Sequence, residues 1–235
     1  MRHSVERGEL GRLSRREFAR RAAALVTAGA ALPFYNESAL AQDLKAIAAI
    51  PADAVRLNAN ENPMGPCPAA IEAIRTIVPQ GGRYLFNQAR DFVTAMAASE
   101  GLQEEFVLAA AGSSDPLHRT VMAFTSPSRP LVIAEPGYEA PDRAAKHMGA
   151  KVITVPLRQD YAHDVRAMAR ADANAGLIYV CNPNNPTGTV TRREDIEYLI
   201  ANKPAGCVVL VDEAYFHFAE TASPSTEFVA AGNEL

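Results

Sequence analysis

Between residues 69 and 100 the apolar positions recur every three or four residues; from residue 106 onward they come in short continuous runs. Ile71, Ile74, Ile77 and Val78 predict a helix over 69–78, with Pro66 and Pro68 framing its start and Pro79 and Gly81-Gly82 past its end. Phe92, Val93 and Met96 share one face of a second helix over 88–100, closed by Gly101. The runs at 106–110, 131–134, 151–155, 177–180 and 207–211 have the length and composition of buried strands. Helical spacing returns between them. Leu117, Val121 and Phe124 make one stripe, 140–148 is a helical segment before Gly149, and Thr191-Arg192-Arg193-Glu194 reads as a capping box opening a further helix. Strands alternating with helices predict an α/β domain with a largely parallel sheet, whose site should lie at the carboxyl ends of the strands. Residues 42–67 lack such a period and read as an irregular arm.

Composition changes this picture at one end only. The chain has 235 residues, 48% hydrophobic and 21% charged, enough for a substantial core. Its net charge of −4 divides unevenly: residues 1–41 carry seven arginines against four glutamates, so the remainder is acidic. An acidic body without a basic stripe argues against nucleic acid as a partner. In the basic segment, Arg15-Arg16 precede Phe18, an uncharged stretch covers 22–34, and Ala39-Leu40-Ala41 supplies small residues for cleavage. That order predicts a twin-arginine signal peptide over 1–41, a mature chain starting near Gln42, and a periplasmic location. The apolar stretch is too short to span a bilayer, so no stable membrane insertion is expected after signal removal. Cys67, Cys181 and Cys207 have neither disulfide nor metal-site spacing, and the five histidines are scattered.

Three polar clusters follow apolar runs. Gly112-Ser113-Ser114-Asp115-Pro116 can start a helix, and a helix start can also hold a phosphate. Asn182-Pro183-Asn184-Asn185-Pro186-Thr187-Gly188 can be a plain turn, yet Asn185 lies between residues of restricted geometry that fix the aim of its amide. Asp212 ends the run Val208–Val211, so its carboxylate emerges from a buried strand and needs a cationic partner, from the protein or from a ligand. Together the clusters suit a ligand with a phosphate, a phenol-like oxygen and a cationic ring nitrogen, a set that pyridoxal phosphate carries.

With LNANENPMGP (57–66), GRY (82–84), AGSSD (111–115), AEPGYEAP (134–141), NPNNPTG (182–188) and VDEAY (211–215) in this order, the sequence resembles the fold-type I aminotransferases, most closely the histidinol-phosphate aminotransferase group. The resemblance implies a three-layer α/β sandwich with a mostly parallel central sheet. It implies an arm and small-domain segment at 42–80 and a cofactor-binding large domain at 81–235. The implied cofactor is pyridoxal 5'-phosphate; the implied activity is amino transfer between an amino acid or amino-alcohol phosphate and a 2-oxo acid. Ser113 and Ser114 would hold the phosphate, Tyr138 would stack on the ring, and Asn185 and Tyr215 would bind the ring oxygen. Asp212 would pair with the ring nitrogen, Tyr84 would reach the phosphate of a second subunit in a homodimer, and Asn60 would lie near the substrate.

The resemblance is incomplete. Leu85-Phe86 follow Tyr84 where the family usually has Pro-Asp, Gly137 stands where Thr is common, and Met64 replaces a frequent aromatic. The lysines are Lys45, Lys146, Lys151 and Lys203, none in the family's Ser-x-Ser-Lys context. The expectation is that the Schiff-base lysine lies beyond Leu235 and that the chain is an N-terminal portion, inactive alone. A lyase or decarboxylase of the same fold, or a non-catalytic cofactor-binding remnant, are the alternatives.

Overall fold

A computed structural model describes residues 51, 54, 55, 57 and 59–231. The export signal and cleavage site expected in 1–41, and the start of the arm at 42–50, lie outside the described residues. From Val55 onward the chain forms one compact unit.

Helix α1, Pro68–Ile77, begins on a proline whose missing N–H costs nothing in the first turn. Helix α2, Phe86–Glu100, ends at Gly101 in the left-handed region, where the absence of a Cβ lets its N–H turn back onto the Ala97 carbonyl. Helix α3 is Ser114–Phe124. Then strands β1, Leu131–Glu135; β2, Val152–Pro156; β3, Leu177–Cys181; and β4, Val208–Asp212 alternate with helices α4, Ala140–His147; α5, Val165–Arg170; and α6, Arg193–Asn202. A short helix α7, Thr226–Ala230, follows.

The four strands form one parallel sheet in the order β2-β1-β3-β4. All five residues of β3 are buried, as a strand covered on both faces requires. Alternation sorts its side chains. Leu177, Tyr179 and Cys181 pack with Leu117 and Val121 of α3 and Ala140, Ala144 and Ala145 of α4. Ile178 and Val180 pack with Met168 of α5, Ile196 and Leu199 of α6 and Phe228 of α7. The result is helix, sheet, helix: the three-layer α/β sandwich expected of the sequence. Each fully buried Leu, Ile or Val contributes about 1.5–3 kcal/mol, so the two-sided burial of β3 anchors the fold.

The run at 106–110 is not a strand. A single 3-10 turn covers Glu104–Phe106, and Leu108 is 87% exposed. The run is apolar, but it pairs with no strand of the described sheet, and composition alone cannot supply ladder partners. The capping box at Thr191 does not form either. Helix α6 starts two residues later at Arg193, with Arg192 at its N-cap and no side-chain cap bond. The Thr191 hydroxyl instead pairs with His163 Nδ1 at 2.8 Å. Helix α5 was not signalled by period, because six residues give too few turns. Its start is nonetheless marked by Asp164, whose carboxylate accepts the Ala167 N–H at 2.9 Å.

β1 and β3 are neighbours, but the chain leaves them in opposite directions, through α4 to β2 and through α6 to β4. Helices α4 and α6 cover opposite faces. A crevice therefore opens between the carboxyl ends of β1 and β3, the place where open α/β sheets bind ligands.

Candidate active site at the strand ends

Three segments meet in this crevice. Beyond β1 the chain turns at Glu135-Pro136-Gly137 to present Tyr138, half-buried against the α3 and α4 layer. A Cβ at Gly137 would lie 2.6 Å from the Ala134 carbonyl oxygen, so the turn has no room for the threonine frequent in the resembled family. Beyond β3 runs the asparagine-rich loop. Two of its three asparagines are structural. Asn182 is 2% exposed; its Nδ2 donates to the Thr191 carbonyl at 3.1 Å, and its Oδ1 accepts the Thr191 N–H at 2.9 Å. Asn184, equally buried, donates through Nδ2 to Thr187 Oγ1 at 2.8 Å and to the Pro136 carbonyl at 3.3 Å, tying this loop to the turn after β1. Asn185, the third, lines the cavity at the strand ends.

Asp212 is the last residue of β4. The sequence called for a cationic partner, and among the described residues no ion pair reaches it. Its Oδ2 accepts the Tyr179 hydroxyl at 2.9 Å and its Oδ1 accepts the Ala214 N–H at 3.1 Å. Both donors are neutral, so neither supplies a countercharge, and lone pairs remain for a ligand. Burial, reinforced by the Asp212 charge, pushes the Tyr179 phenol far above its ordinary range. Burial also lifts the Cys181 thiol to about 11, with Asp212 adding to it. Both groups stay protonated at neutral pH.

A cavity of about 140 Å³ is lined by Ser113, Tyr138, Cys181, Asn185, Asp212, Ala214 and Tyr215. It gathers five side chains singled out from sequence: Ser113, Tyr138, Asn185, Asp212 and Tyr215. Ser114 is the first residue of α3, and Ser113 precedes it in helical conformation without a side-chain cap bond. Pro116 falls in the first turn of α3. Tyr84 does not line the cavity; it is 89% exposed and stacks on Phe86 with ring centroids 5.4 Å apart. Asn60 lines an adjoining cavity of about 280 Å³ with Asn185 and Tyr215, and its Nδ2 donates to the Tyr215 hydroxyl oxygen at 2.9 Å. Among the described residues no cluster of His, Cys, Asp and Glu could hold a metal ion, and no helix is long and apolar enough to cross a membrane.

Sequence reasoning missed Tyr179, while Cys181 is the small buried residue that its place in a strand-like run implied. The signal was available in register: Cys181 is the cross-strand partner of Asp212, and Tyr179, two residues earlier, points to the same face.

A doubly wound parallel sheet with this polar cavity at its switch point defines a ligand-binding α/β domain. The chain belongs to the aminotransferase class I and II family, which it matches over residues 52–234. It is 37% identical over 178 residues to a histidinol-phosphate aminotransferase of Symbiobacterium thermophilum, an alignment covering 75% of this chain and 49% of that protein. It is 35% identical to an aromatic amino acid aminotransferase of Cutibacterium acnes, across 71% of this chain and 47% of that protein. Among solved structures, the histidinol-phosphate aminotransferase of Sinorhizobium meliloti in complex with pyridoxal-5'-phosphate matches with a TM-score of 0.66 and 26% identity, over 71% of this chain and 46% of that chain. The chain spans about half the length of the curated relatives it matches.

The cavity fits pyridoxal phosphate by the chemistry of its donors. An unpaired carboxylate suits a protonated pyridine nitrogen, an aromatic wall suits the ring face, amide and phenol groups suit the ring oxygen, and a helix start suits the phosphate.

Proposed function

We propose that this chain forms the cofactor-holding part of a pyridoxal-phosphate-dependent aminotransferase, moving an amino group between an amino acid or amino-alcohol phosphate and a 2-oxo acid. The observation that carries the reading is the Asp212 carboxylate, held by the neutral Tyr179 hydroxyl and Ala214 N–H and lining the cavity that Tyr138, Asn185 and Tyr215 also line. When bound, the cofactor supplies the electron sink that lets a bond to the substrate α-carbon break. Asp212 keeps the ring nitrogen protonated, and each pKa unit of bias it provides is worth about 1.4 kcal/mol. Tyr138 sets the ring plane. Asn185 and Tyr215 hold the ring oxygen, Ser113 and Ser114 take the phosphate at the start of α3, and Asn60 orients the Tyr215 hydroxyl beside the substrate space.

The exposed Tyr84 would reach the phosphate held by a second copy, so the working form would be a homodimer. Residues 1–41 would direct export to the periplasm by the twin-arginine route. Replacing Arg15-Arg16 by Lys-Lys and fractionating cells tests this; unchanged export would overturn it.

Activity is tested by joining the chain to the C-terminal half of the Symbiobacterium thermophilum relative, which supplies the part of the match this chain does not span. The joined protein should transfer amino groups to 2-oxoglutarate from histidinol phosphate or an aromatic amino acid, and Asp212→Ala should abolish the transfer. Release of carbon dioxide or ammonia without transfer would instead establish the lyase reading.

A further inference from the structure

We propose that Tyr179 is a positioning residue for the candidate cofactor site: its hydroxyl holds Asp212 aimed at the ring nitrogen of the ligand. The inference rests on the pyridoxal-phosphate reading and goes beyond it by naming a buried residue that does not line the cavity.

Four observations carry it. Tyr179 is 3% exposed and lies in the core layer beneath the cavity, packed with Leu117, Val121 and Cys181. Its ring is fixed by the sheet, since Tyr179 pairs with Leu210 across β3 and β4, while Cys181 pairs with Asp212. Its hydroxyl therefore reaches Asp212 along the same face, and donates to Oδ2 at 2.9 Å. The second oxygen is fixed by the Ala214 N–H at 3.1 Å, so the carboxylate is held at both ends and cannot rotate freely.

This arrangement differs from a structural ion pair in one consequence. A cationic partner would neutralise Asp212 and compete with the ligand for it. A buried phenol donates one hydrogen bond, leaves the negative charge intact, and stays protonated, because burial and Asp212 itself oppose its ionisation. Tyr179 thus stabilises the carboxylate in the apolar surroundings of β4 without consuming its charge.

The test separates aiming from packing. Tyr179→Phe keeps the ring in the core and removes only the hydroxyl. The 235-residue chain and the variant are titrated with pyridoxamine 5'-phosphate and with its analogue in which a benzene ring replaces the pyridine. The wild-type chain should prefer the pyridine compound. The variant should lose about tenfold of that preference, the scale of one hydrogen bond to a charged group, with affinity for the benzene analogue nearly unchanged. Equal loss for both ligands would mean a packing role and would overturn the proposal; so would an unchanged preference. If the wild-type chain binds neither compound, the cofactor reading itself fails, a different result from either.

Should the variant not fold, the wild-type chain still decides. The Tyr179 hydroxyl proton, followed by NMR through its Cζ carbon, should exchange slowly with solvent and shift on addition of pyridoxamine 5'-phosphate. It should shift far less with the benzene analogue. A fast-exchanging proton, or equal shifts with both ligands, would overturn the assignment.

Discussion

Asn182 and Thr191 bind each other twice, side chain to backbone in both directions, at 3.1 and 2.9 Å. This pair closes the asparagine-rich loop at its base. It also draws Thr191 away from the start of α6, which is why that helix begins without its capping box. Local sequence predicted a cap; a longer-range contact won.

Asn182→Ala should therefore act on both fold and site. It leaves the buried N–H and carbonyl of Thr191 without partners, at a cost of about 2–4 kcal/mol for the two groups. Urea unfolding should show that loss, and pyridoxamine 5'-phosphate should bind more weakly because Asn185 loses its fixed aim. Full stability in the variant would show that the loop is held elsewhere.

The same junction sets an acid limit on stability. His163 is 1% exposed beside Thr191, and burial, with a smaller contribution from Arg158, lowers its pKa to about 4. The unfolded chain takes up this proton near the ordinary value of about 6.5, while the folded chain resists it. Between about 6.5 and 4, stability should fall with falling pH, by up to about 1.4 kcal/mol per pH unit. His163→Gln should flatten the upper part of this window, between pH 6.5 and 5, where aspartates contribute little. An unchanged slope in chemical unfolding would contradict the buried neutral imidazole.

Glu213 works in the opposite sense. Its Oε1 accepts the Ser225 N–H at 2.7 Å, yet burial outweighs that bond and raises its pKa. A carboxyl raised on folding stabilises below its unfolded pKa, and that contribution is lost as pH rises through the folded value. Glu213→Gln keeps an acceptor for Ser225 and removes the charge. The variant should melt higher than the parent at pH 7.5, with the difference shrinking toward pH 4. A difference independent of pH would assign the effect to packing.

How much of this was legible in the sequence depends on which force set each feature. Burial wrote β1, β3 and β4 into continuous apolar runs, and it wrote α1, α2 and α4 into periodicity with Pro and Gly punctuation, so these were found nearly in place. The run at 106–110 had strand composition without partners, and α5 had a cap without enough turns to show a period. Asn185 and Asp212 were legible because each follows a buried strand into a polar break. Tyr179 was not, because its role arises from strand register, which adjacent residues do not encode. Nor could sequence divide the asparagines: Asn182 holds the loop through Thr191, nine residues on, and Asn184 through Pro136, 48 residues back.

The central claim is that the cavity at the ends of β1, β3 and β4 is a pyridoxal-phosphate site anchored by Asp212. It is tested most directly by titrating the 235-residue chain with pyridoxamine 5'-phosphate, which needs no lysine to bind, and following ligand fluorescence. The account predicts saturable binding at one site per chain, with Asp212→Ala weakening it by about tenfold or more, the loss of a charged partner. Binding that does not saturate, or that Asp212→Ala leaves unchanged, would contradict it.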